Sequence, residues 1–266
     1  MNVYGKNFIF NGISSEKYNL VLCSIDSHEP NRETGLTQTL NKGELNPYRN
    51  TPNLYSVQYS DVLKFDITII KRNNLPIENN ERREIVAWLT SPIFYTSFKI
   101  EDCEVNGYHE NIEYFVKSTG CTDFMPSGYI SGLTFNFECN APYGFSEQES
   151  NTFVCNGSTK ISINNTSDEL FQDYYPTIIV KGTSTGEVTF INNKYPENPM
   201  KINIKNGQTL IIDCQNGNIN DNTNTFDYET DTNLIWLRLV HGHNNITISG
   251  NCTGEIQCRY VRKVGI

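Results

Sequence analysis

The residues that could do chemistry are few, and the pair His241 and His243 is the first candidate. The two imidazoles flank Gly242 and would lie on one side of a turn, as a pair of metal ligands requires. No third ligand is implied nearby, and Gly242-His243-Asn244-Asn245 has the composition of an ordinary turn. We therefore favour a turn over a metal site.

The acidic stretch Asp213–Asp231 is a candidate calcium loop. Read as an EF-hand from Asp221, it has Thr223 at the third position and Phe226 at the sixth, where that loop demands glycine. We therefore predict a solvated loop in which Phe226 is the one apolar anchor.

Catalytic motifs are missing from the chain. It contains no G-x-S-x-G, no Gly-rich phosphate loop and no H-E-x-x-H. Glu101-Asp102 and Glu104 have the pattern of a charged turn instead of a carboxylate pair in a cleft. The sequence predicts a protein that is not an enzyme, with no catalytic, cofactor-binding or metal-binding residue.

Eight cysteines could form disulfides or bind a metal, but no C-x-x-C pair occurs. The N-terminal residues hold a three-residue apolar core at Phe8–Phe10, too short for a signal peptide, so we expect cytoplasmic synthesis and reduced thiols. Cys139 and Cys258 fall in alternating apolar rows and are predicted to be small fillers in strands.

Three tyrosines, Tyr174, Tyr175 and Tyr195, would be able to stack on sugar rings if they were exposed. Pro176 and Pro196 directly follow two of them, which is typical of strand ends. We favour the strand-end interpretation.

The composition is that of a β-rich chain with many turns. Of the 266 residues, 37% are hydrophobic and 19% charged, and Asn, Thr, Ser and Gly make up much of the rest. The net charge of -9 is spread evenly, with 17 acidic and 12 basic residues in 1–146 and 13 and 9 in 147–266. Because there is no basic tract and no apolar run near the ~20 residues of a membrane span, we expect neither nucleic-acid nor membrane binding.

Periodicity predicts a mainly β first half with one helix. Asp61–Arg72 alternates apolar and polar residues, as a half-buried strand does. Asn79–Thr90 is predicted to be a helix that is capped by Asn79 or Asn80, covers a sheet and ends at Ser91-Pro92. Further strands are predicted at Asn7–Asn11, Asn19–Ile25, Ile93–Ile100, Asn111–Lys117 and Tyr129–Cys139.

Residues 26–52 are polar and rich in Pro, Asn and Gly, with few apolar anchors. Two interpretations stay open, because loops this long inside compact domains are usually functional or disordered. The segment is either one long surface loop or an extended arm or hairpin that orders against a partner.

The pattern breaks at Asn140–Phe145, and a polar run follows. This break predicts a boundary between domains 1–146 and 147–266. Closely spaced short strands after it predict a two-sheet sandwich. These strands are Thr152–Cys155, Thr159–Asn164, Thr177–Lys181, Glu187–Asn192, Lys201–Lys205 and Thr209–Asp213.

Leu234–Tyr260 is predicted to close the sandwich as a meander of three antiparallel strands. Its first strand would be central, because it is apolar on both faces. The strands would be Leu234–Val240, Ile246–Ser249 and Glu255–Tyr260, with turns at His241–Asn245 and Gly250–Gly254.

Several short motifs follow one another in a definite order. The first is Phe8-Ile9-Phe10-Asn11-Gly12-Ile13-Ser14-Ser15 before Tyr18-Asn19-Leu20, and Asn140-Ala141-Pro142-Tyr143-Gly144 forms a proline-containing junction. The later ones are Tyr175-Pro176-Thr177-Ile178, Asn206-Gly207-Gln208-Thr209-Leu210-Ile211-Ile212-Asp213, and Trp236-Leu237-Arg238-Leu239 leading into Gly242-His243-Asn244-Asn245-Ile246. In this order, over nearly its whole length, the chain resembles the distal tail protein (Dit) family of long-tailed bacteriophages.

The resemblance implies an N-terminal split-barrel-like β domain with one helix at 1–146 and a C-terminal galectin-like β-sandwich at 147–266. In that family the N-terminal domain forms a six-fold ring at the tail tip. The tail tube protein lies on one ring face, and a tail-associated lysin, hub or receptor-binding protein lies on the other. The implied partners are therefore further copies of the chain and those tail proteins, without a cofactor, in a virion protein made in the host bacterial cytoplasm.

Two other functions stay open from the residues. A carbohydrate-binding module would bind host cell-wall polysaccharide through tyrosines such as Tyr174 or Tyr195. A cell-wall hydrolase would need a reaction centre, and no motif provides one. The galectin likeness concerns the fold, so sugar binding does not follow from it.

Overall fold

The computed structural model describes residues 7–23, 36–45, 48, 51–101, 111–126 and 128–265. The fold is mainly β, with a single α-helix among these residues. The chain packs as two compact units, Met1–Ser146 together with Arg262–Ile266, and Glu147–Val261.

The first unit is built on a β-sheet with a helix, α1 (Asn79–Thr90), and a short 3-10 turn at Ser15–Tyr18. Its main sheet has the order β2-β1-β7-β8-β9-β6-β3, and β10 pairs with β8. Its strands are β1 (Asn7–Phe10), β2 (Ile13–Ser14), β3 (Leu20–Cys23), β4 (Gln38–Leu45), β5 (Pro52–Tyr59), β6 (Lys64–Lys71), β7 (Thr96–Glu101), β8 (Ile112–Phe124), β9 (Gly132–Cys139) and β10 (Gly144–Ser146).

The predicted strand around Asp61–Arg72 and the predicted helix are both confirmed in the first unit. The alternating apolar residues Leu63, Phe65, Ile67 and Ile69 are all buried, and α1 covers the core with Ile85 and Leu89. The predicted cap was wrong, because Glu78 is the N-cap and its N–H donates to Glu81 Oε2 at 2.9 Å. The glutamate three residues into the helix thus closes a capping box.

The predicted strand Ile93–Ile100 begins later than expected, at Thr96. Lys117 Nζ donates to Thr90 O at 3.1 Å and also to Pro92 O, which holds the chain in a loop past the end of α1. Tyr129 was expected in the buried row of the next strand and is instead exposed, whereas Leu133, Phe135, Phe137 and Cys139 of that row are buried.

The polar segment at 26–52 contains half of a hairpin. Strands β4 and β5 pair with each other as a separate two-stranded sheet, in which Leu40 lies opposite Val57. The hairpin interpretation is confirmed for this part, although β5 was not predicted. Residues 24–35, 46–47 and 49–50 lie outside the described residues, and ordering against a partner stays a prediction.

The second unit is a β-sandwich built on one long pair of strands. Strand β11 pairs with β17 along its whole length, and the sheet order is β14-β13-β17-β12-β15-β16. The strands are β11 (Glu149–Asn165), β12 (Thr177–Gly182), β13 (Gly186–Asn192), β14 (Met200–Ile204), β15 (Thr209–Asp213), β16 (Asn218–Asp221) and β17 (Gly242–Cys258). The short β18 (Val261–Arg262) comes last in the chain and belongs to the sheet of the first unit, where it pairs with β10.

The other strands that pair with β17 form two groups, one on each side of Gly250, and we call these groups the two wings of the sandwich. Strand β13 pairs with Ile246–Ser249, and β12 pairs with Cys252–Gln257 on the same edge of β17. Gly250 has a φ of 120° and lies opposite Gly157, whose φ is 92°. The inward residues of both wings, such as Phe190 and Val180, meet in one core.

The predicted three-strand meander was wrong. Leu234–Val240 is not a strand, and its one bridge joins Leu239 to Tyr174. Strand β17 begins within the first predicted turn, at Gly242, and runs unbroken through the second. The glycines allow close approach of backbones instead of turning the chain, since a Cβ on Gly254 would lie 2.1 Å from Ile179 O. Strand β11 is likewise one strand where two were predicted, and it continues across Gly157.

Candidate functional site: apolar surfaces of the first unit

His241 and His243 do not form a metal site with a third ligand. His241 Nδ1 lies 3.0 Å from Ser167 O, and His243 is exposed on β17. Across the described ranges, no group of three or more His, Cys, Asp or Glu side chains is placed to hold a metal ion.

The acidic stretch contains the unpredicted strand β16, and Asp221, the last residue of that strand, organises the loop that follows it. Its carboxylate accepts hydrogen bonds from Thr223 N, Thr225 N and Phe226 N at 2.9, 2.6 and 3.0 Å. Desolvation alone would raise the pKa of Asp221, but these backbone bonds outweigh it and hold the pKa well below its usual range. Phe226 packs partly buried against the core, as predicted.

The cysteines behave as fillers. All seven that lie in the described residues are free thiols, and Cys139 and Cys258 are buried as predicted. Burial raises the pKa of Cys139 to about 12 and that of Cys258 to about 11, so neither supplies a thiolate at neutral pH.

Two of the three candidate sugar-stacking tyrosines already make contacts within the second unit. Tyr174 Oη accepts a hydrogen bond from Arg259 N at 2.7 Å, its ring packs on Tyr260, and burial raises its pKa to about 12. Tyr195 Oη donates to Asp173 at 2.7 Å, and the Arg238 guanidinium lies 3.8 Å from the centre of its ring. Tyr175-Pro176 directly precedes β12, which confirms the strand-end interpretation there.

The polar depression on the second unit, with a volume of about 170 Å³, contains groups that already bind one another. Lys201 pairs with Glu187 at 3.5 Å, and Asn203 N donates to Asp231 O at 2.8 Å. Since its lining includes no aromatic ring among the described residues, it offers no stacking platform for a sugar.

Glu101 is an exposed residue at the end of β7, and Asp102 and Glu104 lie outside the described residues.

The hairpin β4–β5 carries an exposed apolar face. Leu40 and Val57 are cross-strand neighbours, and Tyr55 is the extra residue at a bulge, where the register shifts between Asn41 and Lys42. All three are exposed, Tyr55 by 68%. A two-stranded hairpin is at best marginally stable in water, so this face is suited to packing against another surface.

A second apolar surface is the loop Ile93–Tyr95, which we call the apolar loop. Ile93 is 84% exposed and Phe94 81% exposed. The loop is nevertheless fixed, because Lys117 binds the carbonyls before it and Thr96 Oγ1 donates to Phe94 O at 3.0 Å. A run of apolar residues without alternation, directly after Ser91-Pro92, was the sequence signal for it.

A third surface is a depression of about 580 Å³ at the N-terminal end of α1, which we call the groove. Its apolar lining is Pro76, Ile77, Met125, Tyr129 and Ile130, and Glu78, Asn79 and Asn80 form a polar part of the wall. Ile77 N donates to Ile130 O at 2.7 Å, which joins its two sides. Exposed apolar surfaces of this kind are suited to binding proteins.

Two family descriptions match the chain over almost its whole length. Residues 3–141 match "Phage tail protein N-terminal domain", and residues 143–258 match "Phage tail C-terminal domain". The chain therefore belongs to this family of phage tail proteins. No curated protein matches it by sequence, and no helix in the described parts is long and apolar enough to cross a membrane.

Solved structures similar to this chain include a phage Dit protein and chains of a phage baseplate. The crystal structure of SPP1 Dit (gp 19.1), titled a paradigm of the hub adsorption apparatus in Gram-positive infecting phages, is 13% identical with a TM-score of 0.61, covering 96% of this chain and 98% of that one. A chain of the phage P2 baseplate in its activated conformation with Ca is 8% identical, with a TM-score of 0.52 and coverage of 96% and 98%. A chain of the same baseplate with Sr is 9% identical, with a TM-score of 0.53, and the match covers 97% of this chain and 98% of that one. At these identities the likeness shows a shared fold, which is the Dit fold.

Proposed function

We propose that the protein is the distal tail protein of its phage, a structural virion component without catalytic activity. It forms a ring of about six copies at the tail tip, closed by cyclic symmetry. The ring joins the tail tube to the tail-associated hub or receptor-binding apparatus. The observation that carries this proposal is the shared fold with SPP1 Dit over 96% of this chain and 98% of that one.

The two parts of the chain divide the work in this proposal. The split-barrel-like domain 1–146 forms the ring, and the galectin-like sandwich 147–266 is the outer module. The first unit supports this division, because it carries the hairpin, the apolar loop and the groove, all with exposed apolar side chains. Exposed apolar patches of this kind are typical of assembly surfaces.

The mass and shape of the purified chain test the ring directly. Light scattering and negative-stain microscopy should show a closed particle of about six copies with a central hole. A monomer at every concentration, also in the presence of the tail tube protein, would contradict the proposal.

The hairpin should order on assembly, since its apolar face is exposed in the single chain. Limited chymotrypsin digestion should cut the free chain at Tyr55 and spare it in the assembled particle. Phe171, which is 99% exposed in the second unit, is the internal control and should be cut equally in both. Equal cleavage at Tyr55 in both states would contradict the hairpin's role in assembly, and it would not bear on whether the ring forms.

A further inference from the structure

The apolar loop and the groove lie at opposite ends of the same helix. The groove is lined by residues 76–80 at the N-terminal end of α1, and the apolar loop begins three residues after its C-terminal Thr90. A helix of 12 residues is about 18 Å long, so the two surfaces lie on different sides of the first unit. They cannot fill one another within a single chain.

The two surfaces are also of opposite kinds, one a projection and the other a depression, and both are apolar. The apolar loop projects Ile93 and Phe94 almost fully into solvent, and the groove is a concave surface lined by apolar side chains. The polar wall at Glu78 and Asn79 would form the rim of such a contact, as protein interfaces usually have. Leu75, Phe124, Met125 and Tyr129 near the groove are exposed as well.

Both surfaces are held in place before binding. Lys117 fixes the carbonyls at the start of the apolar loop, and backbone bonds from Ile77 to Ile130 and from Ser131 to Phe124 fix the groove. Because rigid surfaces lose less conformational entropy when they dock, such contacts are favourable for assembly.

From these observations we infer that the apolar loop of one copy inserts into the groove of the next copy. This is a head-to-tail contact between two different patches, and repetition with the right rotation closes it into a ring. The inference rests on the proposed function for closure, but the contact itself needs only two copies. The occupant of the groove is therefore Phe94, with its neighbours, of a second copy of this chain.

A charge-pair exchange tests the contact on the purified full chain. Phe94→Glu and Tyr129→Lys should each raise the concentration for half-assembly by about tenfold or more, because each places one unpaired charge in an apolar interface. The double variant carries both charges in every contact and should recover most of the assembly. Phe171→Glu is the matched control, a substitution of an even more exposed phenylalanine in the second unit, and should assemble like the unmodified chain.

The result that overturns the inference is assembly of Phe94→Glu at the unmodified chain's concentration, or a double variant no better than the single ones. Since all these side chains are exposed, circular dichroism should show unchanged folding of each variant.

Photo-crosslinking locates the contact independently of ring closure. Benzoylphenylalanine at position 94, in a mixture of isotope-labelled and unlabelled chains, should crosslink to residues 75–80 or 124–130 of another copy. Closed rings with crosslinks elsewhere would support the proposed function and contradict the inferred contact. Open chains with crosslinks at the groove would support the inferred contact and contradict ring closure. Absence of crosslinks at high concentration would contradict the inferred contact.

Discussion

Asn244 shows at the scale of one residue how a predicted turn motif becomes a buried polar centre. Its side chain donates to Val240 O and Gly242 O, both at 2.8 Å, and accepts from Val240 N at 3.0 Å and Asn192 Nδ2 at 2.9 Å. It is fully buried, and every hydrogen-bonding atom of its amide has a partner. The asparagine therefore holds the irregular segment before β17 in place.

Asn244→Ala should lower the free energy of unfolding by about 3 kcal/mol, because it leaves several buried polar groups unpaired. The neighbouring Asn245→Ala is the control. Asn245 is exposed and its backbone N–H, not its side chain, binds Asn193 Oδ1, so a change below about 0.5 kcal/mol is expected. Denaturant unfolding measures both, and equal losses would contradict the assigned role.

Asp221 makes a prediction about pH. Because its pKa is depressed in the folded state, it contributes stability that is complete above its unfolded pKa of about 3.9 and is lost as pH falls through the folded pKa. Asp221→Asn should therefore cost about 1 kcal/mol at pH 6 and distinctly less at pH 3. Denaturant unfolding at the two pH values checks this, and Glu197→Gln, at an exposed carboxyl elsewhere, controls for loss of charge. A difference that does not change with pH would contradict it.

In the paired strands β11 and β17, the facing glycines Gly157 and Gly250 are required for different reasons. A Cβ on Gly250 would lie 2.7 Å from Glu187 O, where β13 begins to diverge, whereas a Cβ on Gly157 would meet nothing within 4 Å. Both residues have positive φ, which disfavours side chains. The close approach at Gly250 is thus an additional constraint on one strand of the pair.

Gly157→Ala should cost about 1 kcal/mol from backbone strain alone. Gly250→Ala should cost about 3 kcal/mol, because the methyl group also displaces the backbone of β13. The two variants control for one another, and urea midpoints measure the difference. If both variants lose the same free energy of unfolding, the close approach of the β13 backbone to Gly250 adds nothing to stability.

At the scale of the whole molecule, the chain returns to the first unit in its last residues. Tyr114 Oη, which is buried, donates to Gly265 O at 2.9 Å, and Val264 packs against the core of that unit. The C-terminal segment is therefore part of a core built by residues far earlier in the chain.

Deletion of residues 262–266 should destabilise the first unit by about 2 kcal/mol, from the lost hydrogen bond and the exposed apolar surface. Tyr114→Phe removes the hydrogen bond alone and should cost about 1 kcal/mol. Hydrogen exchange should show faster exchange in β8 after deletion, with β12 in the second unit as the reference. Unchanged protection of β8 would mean that the C-terminal segment does not support this core.

Patterns within short stretches were enough to predict much of the β structure and the helix. Asp61–Arg72 alternates so regularly that burial of its apolar face is dictated by the pleat of a strand. Asn79–Thr90 has an apolar stripe and a proline stop, both of which act within a few residues. The ordered motifs were likewise sufficient for the family, because they are local in the chain.

Contacts between distant residues decided the rest. Whether Gly250 and Gly254 turn the chain or admit a neighbouring backbone depends on Glu187 and Ile179, which lie about 60 to 75 residues earlier. Leu234–Val240 is apolar enough for a strand, yet its place is set by buried Asn244 and Asn192. The apolar loop and the groove likewise become a complementary pair only when α1 separates them in space, and no local pattern contains that distance.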